Sequence, residues 1–222
     1  RCTIIPDGIP MDIAVLFGCA ILTGAGIVTN SINPVAGQTV AVFGLGGIGM
    51  SALMATKLYD LPIVIAVDVQ EEKLRVAREI GATHTINAKN TDPVKAIFEI
   101  TNGLNVDYSI ESAGLISTIE QSFSSVKKNG GLCIFASHPQ SGKKISIDPY
   151  ELICGKQIKG TWGGMSNPDI DIPKFSEFYK AGKLPLEKLL TKRYKLSQIN
   201  EALDDLEKGV VLRPLIEMSG RK

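Results

Sequence analysis

The clearest chemical feature of the sequence is the glycine-rich hexapeptide GLGGIG at Gly44–Gly49, which has the spacing GxGxxG. In a phosphate-binding turn of this kind, Gly44 permits the tight turn, Gly46 lets a phosphate approach the backbone, and Gly49 lets a helix pack closely on a strand. The helix N-terminus then offers unpaired N–H groups and its positive dipole end to an anion. The spacing alone is weak evidence, but a strand before it and a helix after it predict a dinucleotide-binding loop.

A carboxylate follows this loop at the position that a dinucleotide site requires. Asp68 ends the next apolar run, about 20 residues after the glycines, where an acidic side chain can accept both ribose hydroxyls of NAD. The same carboxylate would repel the 2′-phosphate of NADP. Asp68 could also cap the next helix, and the two roles are compatible. The sequence therefore predicts binding of NAD(H) in preference to NADP(H).

The elements that must position these residues alternate between strand and helix from Thr39 onward. Short β-branched runs indicate strands buried on both faces of a parallel sheet, and amphipathic segments such as Glu71–Ile80, with Leu74 and Ala77 inward and Gly81 as its cap, indicate the covering helices. This alternation predicts a doubly wound α/β fold of the Rossmann type. The expected strands are Thr39–Phe43, Ile63–Val67, Thr83–Asn87, Val106–Glu111, Leu132–Ala136 and Gln157–Trp162. The other expected helices are Met50–Tyr59, Pro93–Thr101 and Leu115–Lys128.

Both ends of the chain depart from this alternation. Before residue 37 the sequence predicts closely packed helices between Asp12 and Ile32, and after residue 164 it predicts a mixed segment. The expected elements there are a helix at Pro173–Ala181, a strand at Leu189–Tyr194, a helix capped by Ser197 with the apolar stripe Ile199, Leu203 and Leu206 and an end at Gly209, and a strand at Val210–Met218.

Composition excludes several classes of protein. The chain has 44% hydrophobic and 21% charged residues and a net charge of +1, which is ordinary for a globular protein and gives no reason to expect nucleic acid or a membrane surface as partner. No apolar run reaches the roughly 20 residues of a spanning helix. The four cysteines form no CxxC pair, a usage that predicts reduced thiols in a cytoplasmic protein. The opening Arg1-Cys2-Thr3 is expected of a fragment or a processed product.

Longer motifs resemble one family. The runs TVAVFGLGGIGMSALMATK, VDVQEEK and REIGATHTIN are similar to the medium-chain, zinc-dependent alcohol dehydrogenases, and so are GCAILTG upstream and GGLCIFASHP, IKGTWGG and VVLRPLIEM downstream. The resemblance spans nearly all 222 residues. It implies an oxidoreductase in which residues 1–20 end a catalytic domain, residues 21–162 form the NAD-binding Rossmann domain, and residues 163–222 return to the catalytic domain.

The resemblance also implies roles for particular residues. Thr23 and Ile48 correspond to positions near the nicotinamide, Lys73 to a lysine near the adenosine ribose, and Arg213 to an arginine that contacts the pyrophosphate. Lys73 is equally well explained as a solvated residue of its helix. The expected cofactor-binding residues are Thr23, Gly44, Leu45, Gly46, Gly47, Ile48, Gly49, Asp68, Lys73, Ser112, Ala113, Ala136, Ser137 and Arg213.

Cys19 falls where the family carries a ligand of its catalytic zinc, so the resemblance implies zinc as a second cofactor, which would polarise the alcohol oxygen for hydride transfer to NAD. Catalytic zinc needs about three protein ligands. Neither His84 nor His138 stands at a metal-ligand spacing, and we expect both to be structural or surface residues. The sequence therefore predicts that this chain alone binds no catalytic zinc and oxidises no alcohol, which an assay of the pure chain would test.

Two other functions fit the same residues. The first is a zinc-free medium-chain reductase of enones or quinones, which Cys19 and the NAD-type Asp68 disfavour. A non-catalytic dinucleotide-binding module is the second. The substrate is expected to be a small alcohol or carbonyl compound of undetermined type. By resemblance, a homodimer is expected through the sheet edge at Gln157–Trp162, with the neighbouring Lys144–Ile147 segment.

Overall fold

The computed structural model describes residues 2–218, and its central element is a six-stranded parallel sheet. The strands lie in the order β3-β2-β1-β4-β5-β6, so the order reverses between β1 and β4. This is the doubly wound Rossmann arrangement predicted from the sequence, in which ligands bind at the point of reversal. The strands are β1 Thr39–Phe43, β2 Ile63–Asp68, β3 His84–Asn87, β4 Tyr108–Glu111, β5 Leu132–Phe135 and β6 Gln157–Gly160.

Helices cover both faces of this sheet. In α4, Leu74 and Ala77 are buried as the amphipathic pattern predicts, and Gly81 ends the helix with a φ of +122°. The helices are α1 Met11–Ala14, α2 Ala20–Gly26, α3 Gly47–Thr56, α4 Glu71–Ile80, α5 Pro93–Ile100, α6 Ile116–Ser124, α7 Pro149–Ile153, α8 Pro168–Lys180 and α9 Ile199–Glu207. Shorter helical turns span Val15–Gly18, Gly163–Met165, Leu186–Leu189 and Leu196–Gln198, and a π-helix spans Ile27–Ile32.

The helix after the glycine turn begins three residues earlier than the sequence predicts. It starts at Gly47 instead of Met50, because the N–H of Met50 already donates to the carbonyl of Gly46 at 2.9 Å. Half of the glycine motif is therefore helix, and the N–H groups of its first turn lie at the end of β1.

One local pairing corrects two further boundaries. The N–H of Val106 donates to the carbonyl of Ser125 at 3.0 Å, and the N–H of Lys127 donates to the carbonyl of Val106 at 2.9 Å. Because these bonds form an isolated parallel bridge, α6 ends at Ser124 instead of Lys128, and β4 begins at Tyr108 instead of Val106.

The C-terminal segment differs most from the prediction. Helix α8 begins at Pro168, capped by the Asn167 side chain, and contains Pro173 inside it. Ser197 is not a helix cap: it lies in a helical turn in which the Gln198 side chain accepts from the N–H of Lys195 at 3.0 Å. Of α9 only Ala202 is buried, so the predicted apolar stripe on this helix is largely exposed.

The core around the six-stranded sheet has two parts, one on each face, and a third small cluster of Tyr194, Ala202 and Val211 lies at the C-terminal strands. Successive residues of β1 alternate between the two parts: Val40 and Val42 join one cluster, and Ala41 and Phe43 join the other. The first cluster also contains Phe17, Ile21, Phe175 and Leu186. The segments at both ends of the chain therefore share a core with the Rossmann sheet, while β7 (Leu190–Lys195) and β8 (Arg213–Glu217) form a separate parallel pair.

Within residues 2–218, no single helix is both long and apolar enough to cross a membrane. The pair Met11–Gly18 and Ala20–Ile32, bent by 60°, passes that test by length and composition only. Most side chains of Ala20–Gly26 are buried in the core.

A partly buried ion pair fixes the start of the strand that leads to the glycine turn. Asp107 accepts from the N–H and the hydroxyl of Thr39, at 2.9 and 2.8 Å, and pairs with Lys127. Burial raises the pKa of Asp107, but the hydrogen bonds from Lys127 and Thr39 lower it by more, so the pKa lies below its usual 3.8. The carboxylate thereby ties β1 to the segment that enters β4.

We expect Asp107→Asn to lower the free energy of unfolding at neutral pH by about 1 kcal/mol, a modest value because Lys127 is partly exposed and its charge is screened. A carboxylate whose pKa is lowered by folding stabilises the protein fully above its unfolded value of 3.8, and this contribution is lost as the pH falls through the lower native value. Urea denaturation at several pH values should show the variant approaching the wild type in acid. An unchanged gap in acid would contradict this account of Asp107.

Candidate dinucleotide-binding site

The three motif glycines are required for three different physical reasons. Gly44 has a φ of +83°, and a Cβ there would lie 2.7 Å from the backbone N of Ala113. A Cβ on Gly49 would lie 1.9 Å from the carbonyl oxygen of Gly44, so only glycine lets α3 begin against the end of β1. A Cβ on Gly46 would meet nothing within 4 Å. Gly46 thus faces open space, as a residue that a ligand approaches must.

Asp68 ends β2 beside this turn and holds it in place. One carboxylate oxygen accepts from the N–H of Leu45 at 2.7 Å, and the other accepts from the N–H groups of Val69 and Gln70 at 2.8 and 3.0 Å. Asp68 does not cap the next helix, because Gln70 is the N-cap residue of α4. A carboxylate has about four acceptor positions, so it can still accept a hydroxyl group of a ribose.

Arg213, at the start of β8, packs over the glycine turn from the far end of the chain. A Cβ on Gly47 would lie 2.0 Å from its Nε atom, and this buried Nε has no hydrogen-bond partner among the described residues. An unpaired buried donor is costly, and a guanidinium is well suited to a phosphate. Together with the open space at Gly46, this atom shows that the residues fit a dinucleotide pyrophosphate.

Gly46, Gly47 and Arg213 line one cleft of about 170 Å³, whereas Asp68 holds the turn from outside that lining. The cleft contains six of the residues expected to bind a cofactor and three apolar residues, Leu206, Val211 and Leu212, that sequence reasoning missed. The missed residues belong to the C-terminal segment, whose position depends on tertiary packing and leaves no local signal. The lining is Gly46, Gly47, Ile48, Lys73, Ser112, Leu206, Val211, Leu212 and Arg213.

The C-terminal segment reaches the cleft through a second contact. The side-chain amide of Gln70 donates to the carbonyl of Lys208 at 3.3 Å, and a Cβ on Gly209 would lie 1.9 Å from that amide. The turn after α9 therefore rests on the loop after β2, beside Asp68.

The turn after β4 contributes Ser112 to the lining, and the loop after β5 lies next to that turn. The hydroxyl of Ser112 donates to the carbonyl of Gly44 at 2.7 Å, and Ala113 lies against Gly44. The hydroxyl of Ser137 donates to Glu111, the last residue of β4. Sequence reasoning missed Glu111, although a charged residue at the end of an apolar strand is the same signal that identified Asp68.

Eight of the fourteen expected residues lie outside the lining of this cleft, among them Thr23 and Ala136. Thr23 is buried within α2, whose Gly24 packs on the backbone of Ile48: a Cβ there would meet the carbonyl oxygen of Ile48 at 2.2 Å. Ala136 follows β5, and its N–H donates to the carbonyl of Glu111 at 2.9 Å. Contact of either side chain with a cofactor stays a prediction.

Cys19 lines a neighbouring cavity of about 260 Å³, which shares Arg213 with the cleft. Its thiol is exposed. Within residues 2–218, no three His, Cys, Asp or Glu side chains come together as a metal site, and both His84 and His138 are exposed. The described residues therefore do not make a complete zinc site, and a ligand role for Cys19 stays a prediction.

The strand order and the glycine turn at its reversal define a Rossmann-type α/β protein. A family profile described as "Zinc-binding dehydrogenase" matches residues 47–181, and the chain belongs to this family. This confirms the resemblance found in the sequence.

Two similar proteins are alcohol dehydrogenases by name. Alcohol dehydrogenase 2 of Zea mays is 34% identical over 94% of this chain and 55% of its own length, and the class-2 isozyme 2 of Oryctolagus cuniculus is 37% identical over 90% and 53%. The chain spans about half the length of these relatives.

Among solved structures, benzyl alcohol dehydrogenase from Acinetobacter calcoaceticus matches with a TM-score of 0.93 and 34% identity, over 98% of this chain and 59% of its own. An alcohol dehydrogenase zinc-binding domain protein from Burkholderia ambifaria matches with a TM-score of 0.91 and 37% identity, over 97% and 58%.

The glycine contacts predict that one alanine substitution destabilises the protein and that another does not. Gly49→Ala should cost about 2–3 kcal/mol or more, because its Cβ would overlap the Gly44 carbonyl. Gly46→Ala should leave the melting temperature nearly unchanged, because its Cβ enters open space. Thermal denaturation of both variants checks this, and equal stability of the two would contradict the described packing.

Proposed function

We propose that this chain is the NAD(H)-binding portion of an alcohol dehydrogenase, which transfers hydride between an alcohol and its aldehyde or ketone. The buried Nε of Arg213, without a partner above the glycine turn, is the observation that carries the proposal. The names of the relatives support the reaction, since both plant and mammalian relatives are called alcohol dehydrogenases.

Each group of residues has a role in this proposal. Asp68 accepts a hydroxyl of the adenosine ribose and disfavours a 2′-phosphate. The first N–H groups of α3 and the guanidinium of Arg213 bind the pyrophosphate. The loops after β4 and β5 hold the nicotinamide half. When bound, NAD supplies the ring carbon that takes up the hydride of the alcohol.

The remaining assignments extend the proposal to a longer enzyme. Residues 1–20 and 163–222 would belong to its catalytic domain, and Cys19 would be one ligand of its zinc. The unpaired state of Cys2, Cys19, Cys133 and Cys154 supports a reducing compartment such as the cytoplasm. Fractionation of cells that express the protein tests that location.

The binding proposal is tested by titrating the chain with NADH and following the nicotinamide fluorescence. The wild type should bind, and Gly46→Ala should lose at least about tenfold in affinity, because its methyl group occupies the space that a phosphate needs. Since this variant should keep its fold, equal affinity for NADH would reject the glycine turn as a cofactor site.

We also propose that the chain forms a homodimer through β6. This strand is the last of the six-stranded sheet, and unpaired strand edges seek partners. Trp162, 87% exposed, follows β6, and Ile153, 80% exposed, precedes it. The Lys144–Ile147 segment forms no strand.

Light scattering at high protein concentration should give the mass of a dimer for the wild type. The double variant Ile153→Arg/Trp162→Arg should give a folded monomer with an unchanged circular dichroism spectrum, because both side chains are exposed in one copy and arginines bring like charges together in the dimer. A monomeric wild type would refute the dimer.

A further inference from the structure

Glu111 is a buried charged residue that the proposed function does not yet use. It ends β4 with no exposed surface. One of its carboxylate oxygens accepts from the N–H groups of Ala113 and Gly114, at 2.8 and 2.9 Å, and from the hydroxyl of Thr118 at 2.7 Å. The other accepts from the hydroxyl of Ser137. Such a group is costly to bury unless it is fully hydrogen-bonded, and here four donors satisfy it.

These four donors lie on three separate pieces of the chain. Ala113 and Gly114 belong to the turn after β4, Thr118 to the first turn of α6, and Ser137 to the loop after β5. The two loops are adjacent, because a Cβ on Gly114 would lie 3.6 Å from the Cβ of Ser137. The carboxylate therefore joins loops that no β-ladder holds together.

The joined loops follow β4 and β5, which lie on the side of β1 away from Asp68, and the turn after β4 contributes Ser112 to the cleft lining. A Rossmann sheet consists of two mononucleotide-binding halves. Asp68, at the end of β2, marks the adenosine half, so the ends of β4 and β5 face the nicotinamide half. The turn fixed by Glu111 also lies against Gly44, through Ala113, and bonds to its carbonyl through Ser112.

We propose that Glu111 is a positioning residue for the nicotinamide half of NAD(H), acting through the turn at residues 112–114 and through Ser137. This inference rests on the proposed NAD(H) site. It assigns the residue no contact with the ligand: its carboxylate holds the two loops at a fixed separation, so that the nicotinamide ring binds in one orientation.

The test compares NADH with ADP-ribose, which lacks the nicotinamide, on the wild type and on Glu111→Gln. Glutamine keeps the size of the side chain and one acceptor oxygen, but its amide group loses the charge. The variant should bind NADH about tenfold more weakly, the scale of losing one charge-assisted hydrogen bond, and bind ADP-ribose within about twofold of the wild type. Isothermal calorimetry measures both affinities.

Thr118→Val is the matched control. It removes a bond to the same carboxylate from the helix side, away from the two loops. Thr118→Val should lower the melting temperature, and it should change the affinities for NADH and ADP-ribose by the same factor. If the carboxylate had a purely structural role, Glu111→Gln would lower the affinities for NADH and ADP-ribose equally or would change neither. Either result overturns the proposal.

Ser137→Ala keeps the proposal testable if Glu111→Gln does not fold, since it removes the hydrogen bond that joins the loop after β5 to Glu111. This variant should lower the affinity for NADH more than the affinity for ADP-ribose. Equal effects on the two affinities overturn the proposal. Where both variants fold, their effects on NADH should be non-additive, because they break one interaction. Additive effects also overturn the proposal. A wild type that binds neither ligand would instead reject the NAD(H) site itself.

Discussion

The close approach of Gly49 to the carbonyl of Gly44 is the contact on which the candidate site depends. With 1.9 Å between that oxygen and any Cβ on Gly49, no other residue type lets α3 begin directly against the end of β1. This contact brings the N–H groups of the first helical turn to the point where the strand order reverses. The remaining features of the site are arranged around it.

Two buried carboxylates flank this contact in similar ways. Asp68 ends β2 on one side of β1, Glu111 ends β4 on the other, and each accepts N–H groups of the turn that follows it. Asp68 also holds the glycine turn directly, through the N–H of Leu45. Beyond the ends of the strands, where no ladder of hydrogen bonds remains, each carboxylate holds the following turn by accepting its N–H groups. The turns are thereby fixed without regular secondary structure. Arg213 then covers the turn from the C-terminal segment.

Much of this arrangement follows from the sequence because its signals are local. The run at Thr39–Phe43, the glycine spacing and Asp68 predict the sheet, the turn and the ribose acceptor. The predicted helix start at Met50 was wrong by three residues, since the motif glycines were assigned wholly to the turn and the helix begins at Gly47. The C-terminal elements were predicted less well, because Pro173 is normally read as a helix start, and the environment of α9 depends on packing.

The parts of the site that the sequence did not predict depend mainly on tertiary structure. Leu206, Val211 and Leu212 reach the cleft only because the segment after α9 rests on Gln70 and folds back over the glycine turn. Arg213 was assigned from family resemblance, and no pattern within the chain places it there. Glu111 could have been found, because a single acid at the end of an apolar strand requires partners.

The central claim is that Asp68 and the glycine turn form a site that selects NAD(H), and a paired titration of the folded chain with NADH and NADPH tests it most directly. The account predicts a preference for NADH of at least about tenfold, or roughly 1.4 kcal/mol, because the carboxylate that accepts a ribose hydroxyl repels a 2′-phosphate. Equal affinity for the two nucleotides would contradict the role of Asp68. Failure of a folded chain to bind either nucleotide would contradict the site as a whole.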